Sequence, residues 1–287
     1  MSSDRYERSI RLFGKEGQDK LRATRAVVVG VSGLGSPLVQ HLALLGIAHI
    51  TLVEPEELDD TNRNRFVGAR ADDPVPGSPK TMLAARLIRE TNPDVGVLPL
   101  QQGLVSVEAF AAIRQTDWVF GCLDHDGPRF VLNELCSAYE KVYLDMASDV
   151  VVGGAYGGRV CVADGRNGCL VCRDLLDFDD VRHWLESPED QAVREAIYGV
   201  NREVLDGRGP SVAPLNGVIA SLGAMEFMVG VTGMRRSRGC LNYRAHMATV
   251  SDATALERKA YCPYCADRGN AAAFDPERYL RMSHLLT

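Results

Sequence analysis

Short apolar runs alternate along the chain with longer segments in which apolar residues recur every three to four positions. The short runs are rich in β-branched residues and predict buried strands, whereas the periodic segments predict helices. The predicted strands are 26–30, 49–54, 95–100, 118–123, 142–146 and 150–156, and the predicted helices are 36–45, 79–91, 105–114 and 129–140. This alternation predicts an α/β fold, a Rossmann-like and mostly parallel sheet with helices on both faces.

The pattern changes on either side of this core. A charged segment at 4–24 predicts a helical N-terminal arm with a glycine break, and 159–163 predicts an antiparallel extension of the sheet. Residues 179–198 are polar and helix-like, and 201–210 have the composition of a turn and predict a mobile segment. Residues 215–231 predict a long apolar helix that packs against the sheet or against a second subunit.

The composition narrows the range of partners. The chain has 287 residues, a net charge of −6 and a pI near 5.6, which argues against nucleic acid and anionic membranes as partners. The first residues form no apolar signal segment, and Asn216, Gly223 and Glu226 interrupt the longest apolar segment, so we expect no membrane span and a cytoplasmic protein. In a reducing compartment, the eight cysteines are expected as metal ligands or core thiols rather than as disulfides.

A glycine-rich turn follows the first predicted strand. Gly30, Gly33 and Gly35 have the spacing G-x-x-G-x-G, and a helix is predicted to begin directly after them. Without side chains the backbone can approach a phosphate closely, and the N-terminus of a helix favours negative charge. Glu54 ends the next predicted strand, where an acidic side chain commonly binds a ribose. The turn therefore predicts an adenosine nucleotide site, with tight packing alone as the alternative.

Polar and basic residues follow the second predicted strand. Asn62 and Arg65 lie in a loop at the carboxyl end of that strand, where α/β sheets bind ligands, and arginine holds phosphate oxygens in pairs. Lys80 opens a predicted helix, a position where the helix dipole disfavours positive charge unless an anion is bound. A solvated basic loop and a lysine turned into solvent are the alternative interpretations.

Asp124 follows the predicted strand 118–123 and is a candidate Mg²⁺ ligand. Magnesium usually takes one or two carboxylates together with phosphate oxygens, which fits a nucleotide site. Asp126 stands before Gly127 and Pro128 and is expected to be the N-cap of the next helix. His125, between the two aspartates, is either exposed or functional.

Two C-x-x-C pairs lie far apart in the chain. Each pair brings two thiolates together at the spacing of zinc ligands, and two pairs complete a tetrahedral four-cysteine site of a structural kind. Such a zinc clip would hold the C-terminal tail on the body of the protein, and a redox dithiol is the alternative for one pair alone. The paired cysteines are Cys169, Cys172, Cys262 and Cys265, and those expected in the core are Cys122, Cys136, Cys161 and Cys240.

Taken in order, these features resemble the ubiquitin-activating enzyme superfamily, and most of all its small bacterial ThiF/MoeB/HesA group. The resemblance includes Arg5-Tyr6-Glu7-Arg8, the glycine turn, Glu54, Asn62, Arg65, Lys80, Asp124, both Cys pairs and the helical segment 219–226. It implies one adenylation domain, 1–287, made of an N-terminal arm (1–25), a nucleotide-binding core (26–156) and an extension with crossover segment and zinc-clipped tail (157–287).

The resemblance implies a reaction and its participants. Members adenylate the C-terminal glycine of a small ubiquitin-like (β-grasp) carrier protein with ATP and Mg²⁺ and release pyrophosphate, for sulfur transfer or protein conjugation. By position, Gly30, Gly33 and Gly35 would form the cofactor-binding turn and Glu54 would bind the ribose. Asn62, Arg65 and Lys80 would bind the phosphates, Asp124 the Mg²⁺, and Cys169, Cys172, Cys262 and Cys265 the Zn²⁺. Arg8 would act in the neighbouring site of a homodimer, which makes Arg65, Lys80, Asp124 and Arg8 the expected catalytic residues.

This sequence departs from the family's pattern in three ways, which limits the inferences that the resemblance supports. Glu54 stands where the family more often has Asp, and Phe66 replaces a polar residue. Residues 173–239 contain no cysteine, so we expect adenylation without a covalent intermediate on the crossover segment, and Cys240 is expected to be structural. The alternatives are adenylation of a short peptide C-terminus, an NAD-dependent oxidoreductase, which would leave Lys80 and the cysteines unexplained, and an inactive scaffold, against which the full charged set argues.

Overall fold

A single eight-stranded sheet organises the part of the chain that the computed structural model describes, which is residues 5–150, 154–191, 211–253, 261–266, 268–269 and 274–286. The strand order is β3-β2-β1-β4-β5-β6-β7-β8. The strands are β1 (Arg25–Val29), β2 (His49–Val53), β3 (Gly96–Leu100), β4 (Trp118–Gly121), β5 (Val142–Val150), β6 (Tyr156–Ala163), β7 (Cys240–Arg244) and β8 (Thr249–Asp252). Strands β1 to β5 pair in parallel, and β6 to β8 extend the sheet in antiparallel pairing.

Helices cover both faces of the sheet. The α-helices in the described residues are α1 (Glu7–Ala23), α2 (Gly35–Leu45), α3 (Lys80–Thr91), α4 (Val107–Arg114), α5 (Asp126–Ala138), α6 (Phe178–Leu185) and α7 (Ala213–Thr232). One core lies between the sheet and α2, α3 and α7, and a second lies between the sheet and α4, α5 and α6. The predicted fold, a mostly parallel sheet between two helical layers with an antiparallel extension, is confirmed.

Some predicted boundaries differ from the observed ones. The strand expected at 142–146 continues to Val150 as β5. Of the strand expected at 150–156, residues 151–153 lie outside the described residues and Tyr156 is the first residue of β6. Helix α5 begins at Asp126, which is its first residue and not its N-cap. The physical reason is that the N–H of Asp126 donates to the carboxylate of Asp180 on α6 (2.7 Å), so this helix end is capped from another element. The predicted segment 201–210 and the end of the predicted helix 179–198 lie outside the described residues.

Helix α7 is a long apolar helix that packs against the sheet and keeps some apolar side chains exposed, among them Val218 and Met225. It is long and apolar enough to cross a membrane by length and composition, alone among the helices of the described ranges, yet most of it is buried. Gly158 on β6 has no room for a Cβ beside Ile219, and the ring of Phe227 meets Trp118 edge to face at 5.1 Å. The helix is therefore a core element laid across the sheet.

The N-terminal arm is anchored through Tyr6. Helix α1 has the expected glycine break, with φ +76° at Gly14, and packs against the end of α7. The hydroxyl of Tyr6 accepts a hydrogen bond from Asn92 (2.7 Å), and a Cβ on Gly46 would overlap that hydroxyl. Because Gly46 precedes β2, the anchor lies at the amino-terminal edge of the parallel strands.

Two core cysteines are joined, which corrects the expectation of core thiols. Cys161 on β6 and Cys240 on β7 are direct partners in the antiparallel register, with a Cα–Cα distance of 4.2 Å, and form a disulfide. Both are buried, as expected for structural residues. The pairing depends on how two strands far apart in sequence align, which spacing alone does not reveal.

Candidate functional site

The glycine turn after β1 lies where three parallel strands end. Gly30 has a left-handed φ of +87°, and its N–H donates to the carbonyl of Val53, the last residue of β2 (2.9 Å). A Cβ on Gly30 would lie 2.5 Å from the carbonyl oxygen of Cys122, just past β4, and one on Gly35 would overlap the carbonyl of Gly30. No side chain fits at either position, so the ends of β1, β2 and β4 present a bare backbone edge.

The middle glycine sits between two other parts of the fold. A Cβ on Gly33 would overlap the side-chain amide of Asn216, in the first turns of α7, and would lie 3.1 Å from Cδ of Arg65. The structure thus brings Arg65, predicted from the loop after β2, against the glycine turn. A ligand phosphate at this turn would meet backbone on one side and the side chain of Arg65 on the other.

The side chain of Glu54 forms hydrogen bonds that hold the backbone next to the same turn. One carboxylate oxygen accepts the N–H of Val31 (2.9 Å), and the other accepts the N–H of Glu56 (3.0 Å). Burial raises the pKa of Glu54, and the positive charge of Lys80 together with these two hydrogen bonds opposes the rise. Each oxygen keeps a second lone pair, so the side chain can hold the turn and still accept a hydrogen bond from a ribose hydroxyl.

Lys80 is buried rather than turned into solvent. Its side chain is 2% exposed, and its ammonium group forms an ion pair with Glu56, whose side chain is 49% exposed. The backbone adds a second tie, since the N–H of Lys80 donates to the carbonyl of Glu56 (3.1 Å). A buried ammonium needs a counter-charge, and Glu56, which no sequence motif marks, supplies it.

The loop between β2 and α3 is held by Arg63 and Arg86. The guanidinium of Arg63 donates to the carbonyls of Arg70 and Asp73, both at 2.6 Å. Arg86 binds both carboxylate oxygens of Asp73 (2.6 and 2.8 Å). The hydrogen bonds from Arg86 lower the pKa of Asp73 to about 2. These ties fix a loop that has only one short helical turn of its own.

Asn62 and Arg65 project from this fixed loop. Asn62 is buried, and its Oδ1 accepts the N–H of Asp59 (3.4 Å). Its amide nitrogen has no hydrogen-bond partner among the residues that the structure describes. Arg65 is half-buried and donates to the carbonyl of Thr61. A buried amide donor left unpaired is costly, so Asn62 suits a ligand that brings an acceptor.

Asp124 lies beside the bare backbone edge. It is exposed and lies three residues past the end of β4. It comes two residues after Cys122, whose carbonyl oxygen Gly30 approaches. A carboxylate in this position fits the single protein ligand that Mg²⁺ commonly takes alongside phosphate oxygens. Gly30, Gly33, Gly35, Glu54, Lys80, Arg65 and Asn62 all lie at the same carboxyl edge of the sheet.

A buried charge network behind the Asp124 loop was missed by sequence reasoning. Arg129, in α5, donates to the carbonyl of Leu123 from Nε (3.1 Å) and from Nη2. Its guanidinium lies 3.8 Å from the fully buried carboxylate of Asp145 on β5, and Arg159 lies 3.6 Å from the other oxygen of that carboxylate. The residue before Asp124 is thus held by a buried arginine.

Arg8 does not join this group within one chain. It is exposed in the first turn of α1, two residues after Tyr6. Tyr6 is anchored at the amino-terminal edge of the strands, and a five-residue strand such as β1 spans about 17 Å. Arg8 therefore belongs to an arm that is anchored at the amino-terminal edge of the sheet, whereas the glycine turn lies at the carboxyl edge.

The four paired cysteines form one buried cluster. Their sulfur atoms lie within 4.8 Å of one another. Two contacts between sulfur atoms join the motifs, at 3.7 Å for Cys169 and Cys262 and 3.4 Å for Cys172 and Cys265. A hydrogen bond with Cys265 lowers the pKa of Cys169 to about 5, whereas burial raises the pKa of Cys262 to about 11. Four convergent sulfur donors fit a tetrahedral Zn²⁺, which stabilises thiolates that burial disfavours.

The cluster packs on the helix that carries the Asp124 loop. The N–H of Leu170 donates to the side chain of Asn133 on α5 (3.0 Å). The ring of Tyr264 meets Phe130, also on α5, edge to face at 5.2 Å. Both C-x-x-C motifs therefore contact α5.

The chain is similar to a known protein family and to several named proteins. The model of the ThiF family matches residues 6–264. The sulfur carrier protein ThiS adenylyltransferase of Escherichia coli is 26% identical over 264 residues, which cover 91% of this chain and 94% of that protein. The SAMP-activating enzyme E1 of Haloferax volcanii is 36% identical over 135 residues, and the match takes in 46% of this chain but only 49% of that protein.

The fold is similar to a solved structure as well. The crystal structure of E. coli MccB with MccA-N7isoASN superposes with a TM-score of 0.71 at 20% identity, covering 94% of this chain and 75% of that chain. At this identity the likeness concerns the fold, not the substrate.

Proposed function

The chain belongs to the ThiF family and is an adenylyltransferase of the ThiF/MoeB type, and we propose that it adenylates the C-terminal glycine of a small ubiquitin-like carrier protein. A relative that aligns along nearly its whole length is named as an adenylyltransferase of the sulfur carrier protein ThiS, which supports this substrate class. The whole chain, residues 1–287, would act as one adenylation domain in the cytoplasm.

The reaction is a substitution at phosphorus. A carboxylate oxygen of the carrier attacks the α-phosphorus of ATP, an acyl-phosphate anhydride bond forms, and the bond to the β-phosphate breaks to release pyrophosphate. Both reactants are anions, so the enzyme must offset their repulsion and stabilise the negative charge that moves onto pyrophosphate. Fixed positive groups and close alignment of the reacting atoms can supply this without a protein nucleophile.

The observation that carries the proposal is the burial of Lys80 at the edge where the glycine turn leaves a bare backbone. A buried ammonium is a stronger electrostatic partner for phosphate than a solvated one. Glu56, half exposed, holds that charge in the free enzyme and can give way to solvent when a phosphate arrives. Lys80, Arg65 and the amide nitrogen of Asn62 would then hold the phosphates, and Glu54 would accept hydrogen bonds from the ribose hydroxyls.

Two metals complete the proposal. Asp124 would hold Mg²⁺, which neutralises charge on the triphosphate when bound. Cys169, Cys172, Cys262 and Cys265 would hold a structural Zn²⁺. Because residues 173–239 contain no cysteine, the proposed enzyme releases the acyl-adenylate without a thioester on that segment.

The proposed enzyme would act as a homodimer, which the position of Arg8 supports. Since the arm carrying Arg8 is anchored at the opposite edge of its own sheet, its guanidinium would complete the site of a partner subunit. The exposed side chains Leu44, Val218 and Met225 on α2 and α7 supply apolar surface for such contact.

Carrier-dependent exchange of labelled pyrophosphate into ATP tests the proposal. The assay contains the zinc-loaded protein, Mg²⁺, ATP and a Gly-ending β-grasp protein encoded in the same genome. We expect exchange with this carrier and none with the same carrier lacking its last glycine. Exchange with a short peptide instead would reassign the substrate, and absence of exchange with both would overturn adenylation of any such carboxylate.

A further inference from the structure

We infer that Arg129 is a positioning residue for Asp124: it holds the carbonyl of Leu123 and so fixes the backbone from which the Asp124 carboxylate projects. The inference rests on the proposed role of Asp124 as the Mg²⁺ ligand. It concerns an arginine that itself touches neither nucleotide nor carrier in this proposal.

Two donors of one guanidinium converge on one carbonyl. Nε of Arg129 lies 3.1 Å from the oxygen of Leu123, and Nη2 contacts the same oxygen. The peptide that contains this carbonyl also contains the nitrogen of Asp124, so its plane sets the direction in which Asp124 leaves the loop. Only the planar fork of arginine places two donors at this fixed spacing.

The guanidinium is held in turn by carboxylates. It is 5% exposed as a residue and lies 3.8 Å from Asp145 and 3.6 Å from Asp126. Asp145 is also fixed by the hydroxyl of Tyr143, which donates to it at 2.9 Å. With a carboxylate on each flank, Arg129 cannot swing away from Leu123 without leaving a buried charge unpaired.

The loop is tied from its outer side as well. The carboxylate of Asp126 accepts the N–H of Asp177 (2.7 Å), and the N–H of Asp126 donates to Asp180 (2.7 Å). Asp124 itself is exposed and stands between these two sets of contacts. The arrangement fixes the backbone on both sides of a side chain that is left open to a ligand, which is the form of support that orients metal-binding groups.

The test measures metal binding rather than turnover. Mn²⁺ replaces Mg²⁺ as a paramagnetic probe, and its Kd for the protein–ATP complex is followed by electron paramagnetic resonance. We expect Arg129→Gln to raise this Kd about tenfold or more, as loss of an outer partner of a metal ligand commonly does. Arg129→Lys should give an intermediate Kd, because an ammonium keeps the charge and one of the two hydrogen bonds.

A matched variant separates positioning from stability. Arg235 also pairs with a buried carboxylate, Glu226 (2.6 and 2.8 Å). Gly230 on the same helix packs against Trp118, so this pair lies at the amino-terminal end of β4, opposite Asp124. Arg235→Gln should lower Tm yet leave the Mn²⁺ Kd within about twofold of the parent.

The variant Asp124→Asn supplies the reference against which the effect of Arg129 is judged. A parent-like Kd in Arg129→Gln, with Asp124→Asn still weakened, would overturn the inference, and if Arg129→Gln does not fold, Arg129→Lys decides in the same way. A parent-like Kd in Asp124→Asn would overturn both the inference and the Mg²⁺ role of Asp124. If the Mn²⁺ Kd is raised in Arg129→Gln but the parent shows no carrier-dependent exchange, the inference about Arg129 is supported. Only the proposed carrier is then overturned.

Discussion

Lys80 and Glu56 form an ion pair in which the ammonium is almost fully buried and the carboxylate remains half in solvent. The difference in exposure matters because Glu56, when it leaves the ion pair, can be solvated by water, whereas the buried Lys80 cannot. Exchange of Glu56 for a phosphate would leave the buried charge paired throughout binding.

Loss of Lys80 is therefore expected to remove catalysis without removing the fold. Lys80→Ala should lower carrier-dependent pyrophosphate exchange by about 100-fold or more, as removal of one preorganised electrostatic partner commonly does. Exchange assays and size-exclusion chromatography measure activity and dimerisation together. Lys15→Ala removes an exposed lysine paired with Asp19 and should keep full activity; parent-like exchange in Lys80→Ala would contradict the site.

Arg8 can be tested by mixing two inactive enzymes. If Arg8 serves the partner's site, a heterodimer of Arg8→Ala and Lys80→Ala subunits contains one site with every residue intact. Random exchange of subunits makes about half of the dimers mixed, so exchange activity should return to about a quarter of the parent's. Activity that stays at the level of the separate variants after subunit exchange would place Arg8 outside the partner's site.

Metal content and stability should depend together on the cysteine cluster. Cys265→Ser should lose zinc measured by atomic absorption, and its free energy of unfolding should fall by about 3 kcal/mol or more, because a tightly bound metal stabilises the folded state by mass action. Cys136→Ala, which alters a buried cysteine outside the cluster, should keep one zinc per chain. A full zinc complement in Cys265→Ser would exclude the four-sulfur site.

The glycine turn should tolerate no methyl group at its last position. A Cβ at Gly35 would overlap the carbonyl of Gly30, so Gly35→Ala should abolish ATP binding measured by calorimetry and lower Tm. Gly217 in α7 has open space within 4 Å of its Cβ position. Gly217→Ala should bind ATP normally and raise the free energy of unfolding by about 0.5–1 kcal/mol through helix propensity.

Acid should weaken the fold through Asp73. Its pKa is about 2 in the folded protein, where Arg86 donates to it, against an ordinary value of 3.8. Between these values the unfolded chain binds more protons, so this contribution is complete above about pH 5 and is lost as pH falls through 3.8 towards 2.

Urea unfolding at several pH values measures that contribution. Asp73→Asn should lower the free energy of unfolding by about 1–2 kcal/mol at about pH 6 and flatten its dependence between about pH 5 and 2. Asp19→Asn, which alters an exposed carboxylate, should retain the parent's slope. An unchanged slope in Asp73→Asn would show that the Arg86 contact adds nothing to acid stability.

Local pattern was enough to predict the sheet, the glycine turn and the cysteine pairs. Strand and helix periods are read over a few residues, and the turn and the C-x-x-C motifs are contiguous. The partner of Lys80 and the disulfide of Cys161 with Cys240 depend on contacts between distant segments. Arg129 had a local signal: like Lys80, it is a positive charge in the first turns of a helix, where the dipole disfavours it.

The proposed zinc site also means that its ligands are translated at different times. Each sulfur of the first motif meets one that follows it by 93 residues. At about 5–20 residues per second, a ribosome needs about 5–20 seconds to make that interval. Throughout it, Cys169 and Cys172 are two thiols without their partners, open to oxidation or to a competing metal. The nascent chain therefore depends on a ready supply of zinc before its last structural ligand has been translated.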